Sequence, residues 1–414
     1  MTSQEVVKPS ALDNLRRQWV AAAVLSAASL LAGSYYLQNA WETQYAARWL
    51  VFSMIGIAYL LYMLWSGLAE NHPVEQQELL PTLGAGNTLT LFRGAMIALL
   101  LGFFASPRPE GGLAWLPGIL YTMATIADLF DGYLARITHH STRLGEILDL
   151  KLDSLGVLVA ALLAVFYGQV PTWYLLVGSA RILFVAGIWL RRRLRKPVYD
   201  LAPSASRRAI AGVQMGFLAV MLWPLFSPPG THLAASLFAL PFLVGFARDW
   251  LGVSGAIKQP GAGMAEESRS ASWKDLAAGR LVVRPWRMLD AWLPLFLRIS
   301  LVALLVLTWT ERLPAYFKIV LASPLSGFSG LDWGTLLTIM LAVGGSLLLT
   351  FGAAGRLASM AILFSAGLHL RVSSLATLDI LVIMIATALF FLGTGAYSLW
   401  KPEDNLIRHR LGEV

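Results

Sequence analysis

Two acidic segments interrupt a long apolar region of the chain. They read Asp128-Leu-Phe-Asp131-Gly132-Tyr-Leu-Ala135-Arg136 and, eight residues later, Gly145-Glu-Ile-Leu-Asp149-Leu-Lys-Leu-Asp153. Apolar sequence of this length predicts membrane-spanning helix, in which each charged side chain costs ~3 kcal/mol. Residues three or four positions apart share one face of a helix. The spacing therefore predicts two neighbouring helices that present four carboxylates to one point, with small residues leaving room beside them.

Four converging carboxylates repel one another unless a positive charge lies between them. Mg²⁺ prefers oxygen ligands and is often bound by a few carboxylates together with substrate phosphates. The chain has no cysteine and six scattered histidines, which argues against a zinc site built from thiolates or imidazoles. In the alternative interpretation the aspartates cap helices or pair with Arg136, Arg143 and Lys151. Four acids in helical register favour the metal site.

The two segments fit the pattern D-x2-D-G-x2-A-R-x8-G-x3-D-x3-D at every fixed position. In this they resemble the signature of the CDP-alcohol phosphotransferase family. Members of that family are integral membrane enzymes that move a phosphatidyl or related group from a CDP-linked donor to an alcohol and release CMP.

The resemblance implies a role for each matched residue. Two Mg²⁺ or Mn²⁺ ions would be held by four carboxylates, namely Asp128, Asp131, Asp149 and Asp153. Asp153 would also be the catalytic general base. The donor nucleotide would lie against a set of mostly small residues, namely Asp128, Gly132, Ala135, Arg136 and Gly145.

A segment upstream of the aspartates resembles the start of the catalytic core in the same family. It reads Asn87-Thr-Leu-Thr90-Leu-Phe-Arg93 and resembles the family pattern N-x-L-T-x2-R. The resemblance implies that Asn87, Thr90 and Arg93 bind the donor, with Arg93 at the membrane surface near anionic headgroups or the donor's phosphate. Taken alone, the segment is also a plain helix start, because Asn and Thr are good N-caps.

Three arginines are candidates for binding the acceptor. Arg181 falls in the middle of an apolar span, where an anionic partner is needed, either an aspartate or a substrate phosphate. The stretch Pro203-Ser204-Ala-Ser-Arg207-Arg208, followed by Gln214, resembles a second family segment. Arg207 and Arg208 replace its Gly-Lys pair, so the charge is kept and the glycine is lost, and a basic anchor at the start of a helix is the alternative. Glycerol 3-phosphate is the first expectation for the acceptor. Inositol phosphate is an alternative, and a non-phosphorylated alcohol such as serine is a weaker one.

Composition places the whole chain in a membrane. Of its 414 residues, 57% are hydrophobic and 14% are charged, against about a quarter charged in soluble proteins. The net charge of +8 does not indicate nucleic acid, because the basic residues cluster beside apolar runs as the positive-inside rule describes. We expect an integral protein of the bacterial plasma membrane, with no cleaved signal peptide and with both termini and the aspartates on the cytosolic side.

Twelve spans are predicted, in an all-α fold with a six-helix core. The domains are expected at residues 1–75 (a two-span extension), 76–252 (the core), 253–288 (a cytosolic linker) and 289–414 (a four-span module). The third span is expected near Gly94–Ser106, unless Asn87–Arg93 extends it, and the last near Ala376–Leu399. The end of the last span weakly resembles DoxX-like four-helix membrane proteins, and generic packing of small residues explains it equally well.

A transporter is the competing functional class, because intramembrane acids also mark proton and cation pathways. A transporter would carry acids near the midplane of several helices and often shows inverted repeats, and the sequence has no such repeat. The expected partners are a CDP-diacylglycerol-like donor, a small alcohol and membrane lipids. A homodimer is left open. His139 and His140 are expected to be loop residues at the membrane interface rather than nucleotide ligands.

Overall fold

The computed structural model describes most of the chain. The described residues are 10–73, 78–138, 140–201, 205–257, 292–308, 333–371, 373–393, 395 and 397–400. They fall into two compact units, one within Met1–Leu194 and Ile210–Pro224 and the other within Arg195–Ala209 and Leu225–Val414. The domain boundaries expected from the sequence stay a prediction, and the expected linker lies outside the described residues from position 258 onward.

Twelve helices account for nearly all the regular structure of the described residues, which confirms the all-α expectation. They are α1 (Ala11–Ala40), α2 (Thr43–Gly67), α3 (Gly84–Leu101), α4 (Leu116–Ile137), α5 (Arg143–Phe166), α6 (Leu175–Arg193), α7 (Ala205–Leu222), α8 (Gly230–Val253), α9 (Trp292–Thr308), α10 (Trp333–Phe351), α11 (Gly355–His369) and α12 (Thr377–Leu392). Each overlaps one of the predicted spans.

Seven of these helices are long and apolar enough to cross a membrane, namely α1–α4, α6, α8 and α10. Two helix ends differ from the spans predicted from the sequence. The third helix begins at Gly84, so the segment Asn87–Arg93 does extend it. The last helix ends at Leu392 rather than near Leu399, because Gly393 and Gly395 adopt positive φ angles of 83° and 70°, which an α-helix cannot continue through.

The leucines of α5 join it to the first two helices. Leu144, Leu148 and Leu152 recur every four residues and share a buried cluster with leucines of α1 and α2, among them Leu15 and Leu64. Each of the three α5 leucines directly precedes Gly145, Asp149 or Asp153 in the sequence. One side of α5 therefore packs against α1 and α2, and the adjacent side carries the acidic residues.

Small residues bring α3 close to both of its neighbours. A Cβ built on Gly56 of α2 would lie 2.8 Å from the Cβ of Ala98 on α3, and one built on Gly86 of α3 would lie 2.8 Å from the Cβ of Ala135 on α4. Close approach at small residues is a common way for membrane helices to associate. It places the polar face of α3 beside the acidic segments of α4 and α5.

The other unit contains a separate helical core. Leu301 and Leu305 of α9, Leu349 of α10, Ile362 of α11 and Leu389 of α12 belong to one buried cluster. These are the four helices of the expected C-terminal module. The contacts within this cluster are apolar, so they explain how the helices pack together.

Candidate functional site

The guanidinium of Arg93 lies at the centre of the four aspartates. Its side chain is 1% exposed. Its Nη1 is paired with Asp128 and lies 3.4 Å from Oδ2 of Asp131 and 3.2 Å from Oδ1 of Asp153, while Nη2 lies 2.7 Å from Oδ1 of Asp149. Arg93 is thus buried among the acids, and its expected place at the membrane surface stays a prediction. A buried cation needs paired anions, and Arg93 has them in the four carboxylates.

The carboxylates are close enough together to share a cation. Oxygen atoms of Asp128, Asp131 and Asp149 all lie within 4.8 Å of one another. The side chains of Asp149 and Asp153 are 48% and 39% exposed, whereas that of Asp131 is 8% exposed. The cluster is thus closed on the side of Asp131 and open on the side of α5.

The charge balance of the cluster fits divalent ions. A single guanidinium neutralises only one of the four carboxylates, so three negative charges stay uncompensated. Oδ1 of Asp153 is buried and accepts no hydrogen bond from the described residues, although it faces Arg93. Hard divalent cations take oxygen ligands of this kind. The donor set therefore fits Mg²⁺ or Mn²⁺, and the four expected acids all lie within 4 Å of the Arg93 guanidinium.

Hydrogen bonds fix Asp131 at both of its carboxylate oxygens. Thr90 Oγ1 donates to Oδ2 at 3.1 Å, and the backbone N–H of Gly132 donates to Oδ1 at 2.6 Å. Thr90 is itself buried on α3. The hydroxyl of Thr90 thus helps to orient the carboxylate of Asp131. Its expected contact with the donor stays a prediction.

Asn87 and Gly145 lie side by side at one edge of the cluster. Asn87 Nδ2 donates to Thr142 Oγ1 at 2.9 Å and to Asn71 Oδ1 at 3.3 Å. Thr142 caps α5 by accepting a hydrogen bond from the backbone N–H of Gly145 at 3.1 Å. A Cβ built on Gly145 would collide with Oδ1 of Asn87. Glycine is thus needed here for the approach of α3, whatever ligand the site binds.

The remaining residues expected at the nucleotide have different surroundings. Ala135 packs against Gly86, so its small size is explained by the contact between α3 and α4. Gly132 has more space, because a Cβ there would meet only the Arg136 guanidinium, at 3.4 Å. Arg136 is exposed at the end of α4. Of these three positions, Gly132 and Arg136 leave room for a ligand.

The expected acceptor arginines are not equivalent. Arg181 is exposed on α6, and no acid among the described residues lies within 4.0 Å of its guanidinium. Arg207 is half-buried, and its Nε lies 3.5 Å from Oδ2 of Asp249 on α8. Arg208 is exposed. Arg181 is therefore a charged residue of an apolar helix that forms no ion pair within the described part of the chain.

Of the two histidines in the loop after α4, only one is described. His140 Nε2 lies 2.9 Å from the carbonyl oxygen of Thr82, a contact between two loops. His139 lies outside the described residues. The expectation that both are loop residues at the interface stays a prediction.

Residues 84–247 match the family model described as CDP-alcohol phosphatidyltransferase. The chain carries a CDP-alcohol phosphatidyltransferase domain. The domain includes α3–α7 and most of α8, and it contains Arg93 and the four aspartates. The expected resemblance of the six-span core is thus confirmed. The weaker resemblance in the C-terminal helices stays a prediction.

Two relatives illustrate what this domain is similar to. A Salmonella choleraesuis (strain SC-B67) protein named CDP-diacylglycerol--glycerol-3-phosphate 3-phosphatidyltransferase is 35% identical over 98 residues, which are 23% of this chain and 50% of that protein. A Mycobacterium bovis protein named "Putative cardiolipin synthase" is 29% identical over 140 residues, which are 33% of this chain and 63% of that protein. The chain thus spans about half to three fifths of these relatives. No solved structure matches the chain.

Sequence reasoning missed three polar residues near the site. Thr142 carries a recognisable signal, because a threonine directly before a helical pattern is a common N-cap. Tyr121 is 1% exposed, and its buried hydroxyl has no hydrogen-bond partner among the described residues. Asn71 follows α2 and is fully buried. Neither Tyr121 nor Asn71 has a local pattern that could reveal it, because their neighbours come from other helices.

We expect Arg93→Gln to destabilise the metal-free protein, because the carboxylates lose the cation between them. Breaking a buried ion pair costs ~3–5 kcal/mol, and the exposure of Asp149 and Asp153 lowers this to about 1–3 kcal/mol. Added Mg²⁺ should then raise the melting temperature more in Arg93→Gln than in the wild type, because bound ions stabilise the folded state. Thermal unfolding in detergent, with and without Mg²⁺, measures both effects.

Arg136→Gln is the matched control, since it removes an exposed arginine from the neighbouring helix. It should leave the melting temperature unchanged. An Arg93→Gln protein as stable as the wild type without metal would show that the guanidinium does not hold the carboxylates together.

Proposed function

We propose that this protein transfers a phosphatidyl or related substituted phosphate group from a CDP-linked lipid to an alcohol and releases CMP, in phospholipid biosynthesis. The observation that carries the proposal is the convergence of Asp128, Asp131, Asp149 and Asp153 on one point with three negative charges uncompensated. The family match over residues 84–247 supports the same chemistry. Phosphoryl transfer needs mainly positioning and neutralisation of charge, which such a cluster supplies when it holds cations.

The four aspartates would hold two Mg²⁺ or Mn²⁺ ions. When bound, these ions would neutralise the pyrophosphate of the donor and stabilise the attacking and leaving oxygens. Around them, the chain's own residues do the positioning. Gly132 and Arg136 would leave room for the nucleotide beside the cluster, and Asn87 and Gly145 would border that space.

Asp153 is the proposed general base. In the reaction, the hydroxyl oxygen of the acceptor forms a bond to the phosphorus that carries the diacylglycerol, and the bond from that phosphorus to the bridging oxygen breaks. CMP leaves with the electron pair. Asp153 takes the proton of the acceptor hydroxyl. Its partial exposure and the absence of a hydrogen bond to its buried Oδ1 from the described residues leave it able to accept that proton.

Arg181 is the proposed phosphate-binding residue of the acceptor site. It is charged within an apolar helix, and within the described chain it has no acidic partner at ion-pair distance. A phosphorylated acceptor would supply the missing anion beside the base. Glycerol 3-phosphate is our first choice, and the name of the Salmonella relative supports it. Inositol phosphate is the alternative.

The protein would act at the cytosolic face of a bacterial plasma membrane, with both termini in the cytosol. The distribution of basic residues between loops supports this orientation, and the relatives named above come from bacteria. CDP-linked lipids would approach with their acyl chains between the helices. Arg207 and Arg208 are proposed to add positive charge for the acceptor, with Arg207 also paired to Asp249.

Replacing any one of Asp128, Asp131 or Asp149 by Asn should lower CMP release at least about a hundredfold, because each loss removes charge that the transferring group requires. EDTA should inactivate the wild type, and Mg²⁺ or Mn²⁺ should restore it. Asp153→Asn should lower turnover by ~10²–10⁴-fold, the typical contribution of a general base, with a smaller effect on the binding of Mg²⁺–CDP. The assay is CMP release by purified protein with CDP-diacylglycerol and glycerol 3-phosphate.

Glu146→Gln is the control on the same helix. Glu146 is exposed and paired with Arg143 at 3.0 Å, outside the cluster, so its loss should leave the rate unchanged. Full activity of Asp128→Asn, Asp131→Asn or Asp149→Asn would exclude a metal role for that residue. Equal losses of turnover and nucleotide binding in Asp153→Asn would assign it to metal binding alone.

Arg181→Ala should raise the KM for the phosphorylated acceptor roughly ten- to a hundred-fold, because a hydrogen bond to a charged group contributes about 1.5–3 kcal/mol. The KM for the donor should change much less. Arg181→Lys should restore only part of the loss, since lysine lacks the planar fork of arginine. Steady-state kinetics with each substrate varied in turn gives both constants.

Arg192→Ala removes an exposed arginine from the end of the same helix and should leave both constants unchanged. If Arg181→Ala lowers the folded yield and spares the acceptor KM, Arg181 is a structural partner of Asp153. An acceptor without a phosphate, such as serine, would then be favoured.

A further inference from the structure

The chain that follows α2 runs directly beside the nucleotide end of the proposed site. Asn71, His72 and Pro73 belong to the two-helix extension, which precedes the matched domain at residues 84–247. All three contact residues that lie at the start of α3 or α5. The extension therefore reaches the active-site helices through polar contacts as well as through its leucines.

Asn71 uses its whole side-chain amide in these contacts. It is 0% exposed. Its Nδ2 donates to the carbonyl oxygens of Leu80 and Thr82, at 3.0 and 2.9 Å, and its Oδ1 accepts a hydrogen bond from Nδ2 of Asn87 at 3.3 Å. A buried amide costs free energy unless it is hydrogen-bonded, so these partners determine where Asn71 lies and which way its amide faces.

The contact with Asn71 determines how Asn87 presents its own amide. An amide NH₂ group has two hydrogens to donate, and in Asn87 they go to Asn71 and Thr142. Its Oδ1 is thereby turned towards Gly145, where a side chain would collide with it. The group that Asn87 offers at the nucleotide edge is thus a hydrogen-bond acceptor, and its orientation depends on a residue outside the matched domain.

The same segment also fixes the beginning of α5. The backbone N–H of Arg143 donates to the carbonyl oxygen of His72 at 2.9 Å, and Pro73 forms an antiparallel bridge with Thr142. From α1, Gln18 accepts a hydrogen bond from the backbone N–H of Leu83 at 2.9 Å. The extension therefore holds the first residues of both helices that border the nucleotide edge.

We propose that the two-helix extension contributes to binding of the donor. In this proposal Asn71 is a positioning residue, which orients Asn87 for contact with the nucleotide. This inference rests on the proposed function, since it concerns the binding of the CDP moiety. The family model matches residues 84–247 only, so a role of α1 and α2 in binding the nucleotide goes beyond that match. The ligand group that meets Asn87 Oδ1 must be a hydrogen-bond donor, which an amino group on the nucleotide base provides.

A double-mutant cycle on the full-length chain tests the proposal. Asn71→Ala should raise the KM for CDP-diacylglycerol and the Kd for Mg²⁺–CDP about tenfold, the loss expected for one misplaced hydrogen bond at a binding site. The KM for the acceptor should change less than about twofold. Because Asn71 acts through Asn87, the double variant Asn71→Ala/Asn87→Ala should bind Mg²⁺–CDP no more weakly than Asn87→Ala alone.

Trp49→Phe is the matched control. Trp49 Nε1 donates to the carbonyl oxygen of Leu99 at 3.1 Å, so its loss weakens contact between α2 and α3 at the end remote from Asn87. It should lower the melting temperature and leave the Kd for Mg²⁺–CDP unchanged. If Asn71→Ala does not fold, Thr142→Val removes the other acceptor of the Asn87 amide and should show the same shift and the same non-additivity.

The outcomes separate this inference from the proposed function. A wild type that binds Mg²⁺–CDP and releases CMP, with an Asn71→Ala variant that changes only in melting temperature, would overturn the inference alone. Additive losses in the double variant would also overturn it, because Asn71 would then act by another route. A wild type that neither binds Mg²⁺–CDP nor releases CMP would overturn the proposed function and this inference together.

Discussion

The burial of one arginine between four aspartates is the constraint on which the catalytic half of this protein depends. Arg93 is 1% exposed, and a cation in that position is stable only if anions surround it. The helices α3, α4 and α5 must therefore meet at this point. Glycine and alanine at the contact of α3 with α4 permit the approach, and the leucines of α5 secure its other side against α1 and α2. Charge and packing thus require the same arrangement.

The arrangement leaves the cluster with an excess of negative charge and one open side. Such a site is suited to bind cations together with a phosphate-bearing ligand, which is the chemistry that the family match implies. Thr90 contributes a hydrogen bond to Asp131. In the proposed function, Asn87 borders the nucleotide and Arg181 binds the phosphate of the acceptor. In our further proposal, α1 and α2 contribute to the donor site from outside the matched domain.

The sequence predicts those features that depend on spacing within one helix. Asp128 with Asp131, and Asp149 with Asp153, could be placed on common faces because their separations are helical. The extension of α3 over Asn87–Arg93 was only an alternative to a shorter span near Gly94–Ser106. The position of Arg93 could not be predicted, since it depends on contacts between three helices. Asn71 was missed for the same reason. The early end of α12 did have a local signal, in Gly393 and Gly395, whose backbone freedom allows a turn there.

Identification of the lipid product tests the central claim most directly. Purified full-length protein would be incubated with CDP-diacylglycerol, Mg²⁺ and a set of alcohols that includes glycerol 3-phosphate, inositol phosphate and serine, and the lipids analysed by mass spectrometry. Our account predicts CMP and one new phospholipid in equal amounts, formed with a phosphorylated alcohol and only when the metal is present. Product formed equally well in EDTA, or no product with any alcohol, would contradict the assignment of the aspartate cluster as a metal-dependent transferase site.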